Sequence, residues 1–115
     1  MINLKLKFTT TSQFNGFADA TNIIMIENKK LLQANDYFHY FNFRNLQKKI
    51  LDIKFKNTYT NIKPSISINI NEFESFKYVY FLNPNLFNKE NYTYYEVVLL
   101  EVLQILDKQI KNLSY

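Results

Sequence analysis

The sequence predicts an α+β domain, in which a mostly antiparallel, curled sheet of about six or seven strands is closed by one amphipathic helix at the C-terminus. Three observations carry that expectation. Residues 2–8 alternate apolar and polar side chains with a period of two. Short apolar or aromatic runs then recur along the chain, separated by breaks that contain Asn or Asp. From Thr93 onward the apolar residues switch to the three-to-four spacing of a helix.

In the first element Ile2, Leu4, Leu6 and Phe8 point one way and Asn3, Lys5 and Lys7 the other, as a half-buried strand requires. Thr9 to Phe14 can extend it. Phe14-Asn15-Gly16-Phe17 then holds the sole glycine, in the dipeptide that best suits a two-residue hairpin turn. Later turns must rest on Asn and Asp, which tolerate left-handed backbone angles, and Glu27-Asn28-Lys29, Asn35-Asp36, Asn57 and Asn83-Pro84-Asn85 are the candidates. Ile23 to Ile26 is apolar on both faces and reads as a central strand covered on both sides, with Leu31 and Leu32 opening the returning strand.

Residues 37–56 allow two readings. As strands, Tyr37 to Phe43 place His39, Phe41 and Phe43 on one face, and Ile53 and Phe55 stand opposite three charges. As a helix, Phe38, Phe41, Leu46, Ile50 and Ile53 fall near one stripe. Aromatic density favours strand, short turn, strand. Ser65 to Ile70 alternates cleanly and Phe76 to Leu82 alternates with bulk on both faces, so residues 71–75 read as a hairpin loop between them. In the C-terminal helix Thr93 and Glu96 form a capping box. Tyr95, Val98, Leu99, Val102, Leu103, Leu106 and Ile110 form its buried stripe. Val97 and Leu100 widen the apolar arc and mark a dimer surface, should the helix meet a second copy.

Strands followed by one terminal helix resemble pleckstrin-homology-like barrels in element order alone. That resemblance implies an anionic-lipid ligand.

The 115 residues make one domain, 1–115, on the usual scale of roughly 100–200 residues each. The chain has no cysteine, which excludes disulfides and thiolate or sulfur-ligated metal sites and fits the cytoplasm. No secretory leader is expected, since the N-terminus lacks a continuous apolar stretch of about 7–15 residues. No transmembrane span is expected either, the apolar run Val97 to Leu100 being far shorter than the roughly 20 residues required. The bias toward Lys, Asn, Ile, Phe and Tyr follows AT-rich codons, so the net charge of +4 favours an acidic partner only mildly.

Candidate reactive groups are few. His39 is the sole histidine, whereas metal sites and hydrolytic triads need further ligands or partners around it. Glu72 and Glu74 would share one side of an extended chain, but in a loop they read as solvated carboxylates. Asp52 and Asp107 have no acidic neighbour. Phosphate-binding loops need several glycines, and Gly16 stands alone. No catalytic residue, metal ligand or cofactor is therefore assigned, and the chain is not expected to be an enzyme.

The expected function is a non-catalytic protein-binding module of the inhibitor, immunity or adaptor type, of the kind a mobile element encodes. Its binding residues are taken to be Tyr37, Tyr40, Tyr92, Tyr94, Arg44, Lys48 and Lys49, because tyrosine brings large contact area with a polar tip. The alternative is a single-stranded nucleic-acid binder, with Phe76 to Tyr80 and Tyr37 to Phe43 as a sheet of stacking aromatics flanked by Lys.

Overall fold

The structure is a computed structural model that describes residues 3–56, 64–88 and 90–113. It overturns the expected curled sheet: among the described residues, four helices pack around one two-stranded sheet. The chain runs through β1 (Asn3–Lys7), α1 (Thr11–Asn35), α2 (Tyr37–Lys56), β2 (Ser65–Asn69) and α3 (Ile70–Leu82). A short 3-10 turn at Glu90–Tyr92 then leads into α4 (Thr93–Leu113).

The two strands are those with clean alternation. They pair antiparallel, with Leu4 opposite Ile68 and Leu6 opposite Ile66. These four side chains are buried, and the opposite face carries Asn3, Lys5, Lys7, Ser65, Ser67 and Asn69. The free edge of β1 is covered from α4: Lys5 N donates to Gln109 Oε1 (3.0 Å), and the Gln109 amide donates back to the Lys5 carbonyl. An unpaired edge that would invite another strand is thereby closed. Ile2 and Asn57 lie outside the described residues.

Helix α1 replaces the hairpin expected at Phe14–Phe17, the strand at Ile23–Ile26, the turn at Glu27–Lys29 and the strand at Leu31–Leu32. Its buried positions include Phe14, Phe17, Thr21, Ile24, Asn28 and Leu32, a stripe at spacings of three and four. Two of those positions are polar, which disguised the stripe. Both are satisfied inside the helix: Thr21 Oγ1 donates to the Ala18 carbonyl (2.9 Å) and Asn28 Nδ2 to the Ile24 carbonyl (2.9 Å). The helix starts at Thr10, whose hydroxyl accepts from Gln13 N (3.0 Å). Gly16 serves close packing and not a turn, since a Cβ there would lie 2.6 Å from Tyr94 Cε1.

Asp36 alone separates α1 from α2. Its N–H donates to the Leu32 carbonyl (2.8 Å), and its own carbonyl accepts from Tyr40 N (3.1 Å). The break at Asn35-Asp36 is real, but it joins two helices. The strand–turn–strand reading of residues 37–56 is corrected to one helix, α2, which buries Tyr40, Phe43, Leu46 and Ile50.

The loop expected at residues 71–75 and the strand at Phe76–Leu82 are both α3. Asn69 ends β2 and caps α3: its Oδ1 accepts from Glu72 N (2.8 Å), and Glu72 Oε1 accepts from Asn69 N (2.9 Å). This reciprocal pair satisfies two amides that a helix start leaves open. Glu72 is buried rather than solvated, and the Lys49 ammonium reaches its carboxylate (2.6 Å) and the Ser67 carbonyl (3.1 Å).

Helix α4 buries Val98, Leu99, Val102, Leu103 and Leu106 as its spacing predicts, with Tyr95 and Ile110 partly buried. In the core, Phe17 of α1 and Phe43 of α2 both pack on Phe76 of α3, at centroid distances of 5.9 and 6.1 Å.

Removing the cation from a buried carboxylate leaves that charge uncompensated. Lys49→Met should therefore cost about 3 kcal/mol in urea unfolding, where an ordinary surface lysine would change stability by about 0.5 kcal/mol or less. Tyr80 supplies a pH dependence. Burial, and then the Glu96 carboxylate, raise its phenol above the usual tyrosine value. The neutral phenol's contribution is complete below about pH 10, the unfolded value, and is lost as pH rises toward the folded one. Tyr80→Phe should flatten the fall in thermal stability above about pH 10. An unchanged alkaline slope would contradict this.

Candidate functional site

An α-helix advances about 100° per residue, so positions three and four apart share a face. In α2 the buried side chains Tyr40, Phe43, Leu46 and Ile50 define the inward line. Tyr37, Phe41, Arg44, Lys48, Leu51 and Phe55 fall within about 40° of a line on the opposite side. All six are exposed. The four large apolar ones are unusually so, at 64% for Tyr37, 53% for Phe41, 63% for Leu51 and 75% for Phe55. From Tyr37 to Phe55 the stripe extends about 27 Å at 1.5 Å per residue. Single exposed hydrophobic residues are ordinary, but a continuous line of them marks a contact surface.

The charges on this face are of one sign at its middle. Arg44 and Lys48 stand one turn apart between Phe41 and Leu51, and among the described residues neither has an ion-pair partner. Asp52 follows Lys48 by one turn, on the side of Lys49 and Ile53, and forms no ion pair among the described residues. Two other lysines of α2 are engaged: Lys49 with Glu72, and Lys54 with Asp19 at 3.8 Å.

The structure thus brings together three of the residues singled out from sequence, Tyr37, Arg44 and Lys48, and separates the others. Tyr40 is buried, its hydroxyl accepting from Gln33 Nε2 (3.1 Å), so it is no surface anchor. Lys49 is held by Glu72 and Ser67 and is not free for a partner. Tyr92 packs on Phe87 and Tyr95, each at 5.8 Å. Tyr94 lies over Gly16, with its hydroxyl 3.3 Å from Ser12 Oγ. Tyr92 ends the 3-10 turn and Tyr94 lies in the first turn of α4. Val97 and Leu100 are exposed on α4, interrupted by Glu101 and Gln104. Phe41, Leu51 and Phe55 were missed, because the strand reading put Phe41 on one face with Phe43 and Phe55 on one face with Ile53, and left Leu51 outside both strands. The helical alternative placed Phe38 and Phe41 in the buried stripe, and both are exposed.

His39 has neighbours that the sequence could not place. Its Nδ1 lies 2.9 Å from Ser75 Oγ, Asp36 Oδ2 lies 4.0 Å from its Nε2, and its ring stacks on Tyr78 at 4.0 Å. A hydrogen bond to Asp36, then partial burial and that carboxylate's charge, raise the Tyr78 phenol above its ordinary value. The Ser–His–Asp trio invites comparison with a hydrolytic triad, but the Ser75 side chain is wholly buried and cannot meet an external carbonyl. The trio instead pins α3 to the corner between α1 and α2. Glu74 rims an open cleft beside His39 with Lys77, Tyr78 and Phe81. Glu72 faces Lys49, about 15 Å further along α2, so the two glutamates and the histidine do not converge. Among the described residues no three acidic or histidine side chains are grouped to hold a metal ion, and no helix is long and apolar enough to cross a membrane.

Comparison with protein-family models, with curated proteins and with solved structures finds no match to this chain.

If the outward stripe is not needed for folding, its residues can be changed at little cost. Phe55→Ser should alter unfolding free energy by about 0.5 kcal/mol or less. Phe43→Ala, on the inward line of the same helix, should cost about 3–5 kcal/mol. Similar losses at both positions would mean that Phe55 belongs to the core.

Proposed function

We propose that this chain is a non-catalytic protein-binding module of the inhibitor or adaptor type, acting in the cytoplasm through the outward face of α2. The observation that carries the reading is the exposed stripe Tyr37, Phe41, Arg44, Lys48, Leu51 and Phe55. Its make-up matches the aromatic and arginine enrichment of interface cores, with apolar area to bury and two cations to set register. The spacing is that of a helix whose second face is reserved for contact.

Both alternatives were argued from sheets, and among the described residues there is one sheet of two strands. A nucleic-acid binder was to stack bases on a sheet of aromatics, but the outer face of the β1–β2 pair carries only Asn, Lys and Ser. Its supposed aromatic strands are helices α2 and α3. The pleckstrin-like layout required a curled barrel that two strands do not form. Val97 and Leu100 make a smaller apolar patch than α2 does, so the contact surface is assigned to α2.

The test places a photo-reactive phenylalanine at Phe41 or Phe55, and at Gln104 on α4 as control, in cells of the source organism. The expected result is protein cross-links from the two α2 positions that Arg44→Glu with Lys48→Glu abolishes. Cross-links to nucleic acid or lipid alone, or equal yields from Gln104, would overturn the reading.

A further inference from the structure

Beside the exposed stripe, between α1 and α2, lies a cavity of about 180 Å³ lined by Ala18, Asn22, Gln47, Ile50 and Leu51, with the Asp19–Lys54 ion pair also in its wall. Leu51 belongs to both the cavity and the stripe, so the two are continuous. The volume is below the roughly 300–1,000 Å³ of small-molecule sites. It suits one aliphatic or aromatic side chain. Arg44 and Lys48 precede Leu51 by about two turns and one turn on the same line, unpaired among the described residues.

We infer that the occupant of this surface is an acidic amphipathic helical segment of a partner protein. One bulky apolar side chain of that segment enters the α1–α2 cavity while carboxylates about one and two turns away meet Lys48 and Arg44. The inference rests on the protein-binding reading of α2 and adds the chemistry of the partner. Three features argue for it. An apolar side chain in a pocket, ringed by less decisive contacts, is the usual anchor of an interface. Arg44 has no acid one turn away along α2, and Asp52, one turn beyond Lys48, forms no ion pair with it, so a carboxylate-bearing partner gains both charge pairs without breaking existing ones. A line of apolar side chains at spacings of three and four along a helix is also the form in which another amphipathic helix docks.

The probe is a synthetic amphipathic peptide with Leu at helical spacing and Glu flanking it, titrated into the full chain and followed by amide chemical shifts and calorimetry. Two control peptides replace every Glu by Lys, or the central Leu by Ala. The expected result is saturable binding of the Glu peptide, with shifts centred on Gln47, Leu51 and Lys54. Affinity should fall at least about tenfold, a loss of about 1.4 kcal/mol, for either control peptide and for the Arg44→Glu, Lys48→Glu protein. The charge-reversed protein should in turn prefer the Lys peptide. Asn22→Phe, which fills the cavity from its rim, should weaken binding with both cations intact.

No binding of the Glu peptide, equal binding of the Lys peptide, or shifts confined to α4 would overturn the inference. So would a preference for phosphatidylserine vesicles or an oligothymidine strand. Cross-links from Phe41 and Phe55 without affinity for the Glu peptide would refute this partner chemistry and leave the protein-binding reading standing. Their absence would refute both.

Discussion

The rest of the structure depends on the buried Glu72 carboxylate. It closes the reciprocal cap with Asn69 that turns β2 into α3 without an intervening loop, and it holds the Lys49 ammonium at 2.6 Å. A carboxylate taken out of water must be matched by donors close at hand. Here they come from the end of the strand and from α2. The ammonium also reaches the Ser67 carbonyl, so one cluster ties sheet, α2 and α3 together. It thereby fixes the rotation of α2 about its own axis, and that rotation decides which of its side chains meet the core.

From that rotation the candidate site follows. With Lys49 turned toward β2 and Tyr40, Phe43, Leu46 and Ile50 turned inward, Arg44, Lys48, Phe41 and Phe55 face solvent and Leu51 stands at the edge of the α1–α2 cavity. His39 reinforces the same orientation at the other end of the helix, through Ser75 Oγ and the stacked ring of Tyr78. Of the three groups weighed for chemistry in the sequence, His39 and Glu72 thus tie helices together, while Glu74 pairs with Lys77 on the surface of its own helix. The proposed contact surface is the face they leave outside.

How far the fold was legible depended on whether local pattern and burial agreed. In β1 and β2 the alternation of Leu4, Leu6, Ile66 and Ile68 with polar residues matches what is buried. In α4 the stripe from Val98 to Leu106 does so as well. In α1 the stripe includes Thr21 and Asn28, polar residues that satisfy themselves on the backbone one turn back, so the helical period was broken to the eye. Gly16 sat in a dipeptide typical of turns but serves the close approach of Tyr94. The capping pattern Asn69-x-x-Glu72 was legible before an apolar run and would have marked the start of α3. The aromatic character of residues 37–43 and 76–82 argued for strands, and tertiary packing overrode it.

By itself the sequence determined the two alternating strands, the C-terminal helix and its buried face, and the absence of cysteine chemistry, because these follow from side-chain type and short-range spacing alone. Only the tertiary structure decided that residues 11–56 are two helices and which side of α2 is wet. The reason is that α2 carries apolar side chains around most of its circumference. Periodicity cannot choose between two apolar stripes; the docking of Phe43 against Phe76 and of Lys49 onto Glu72 does.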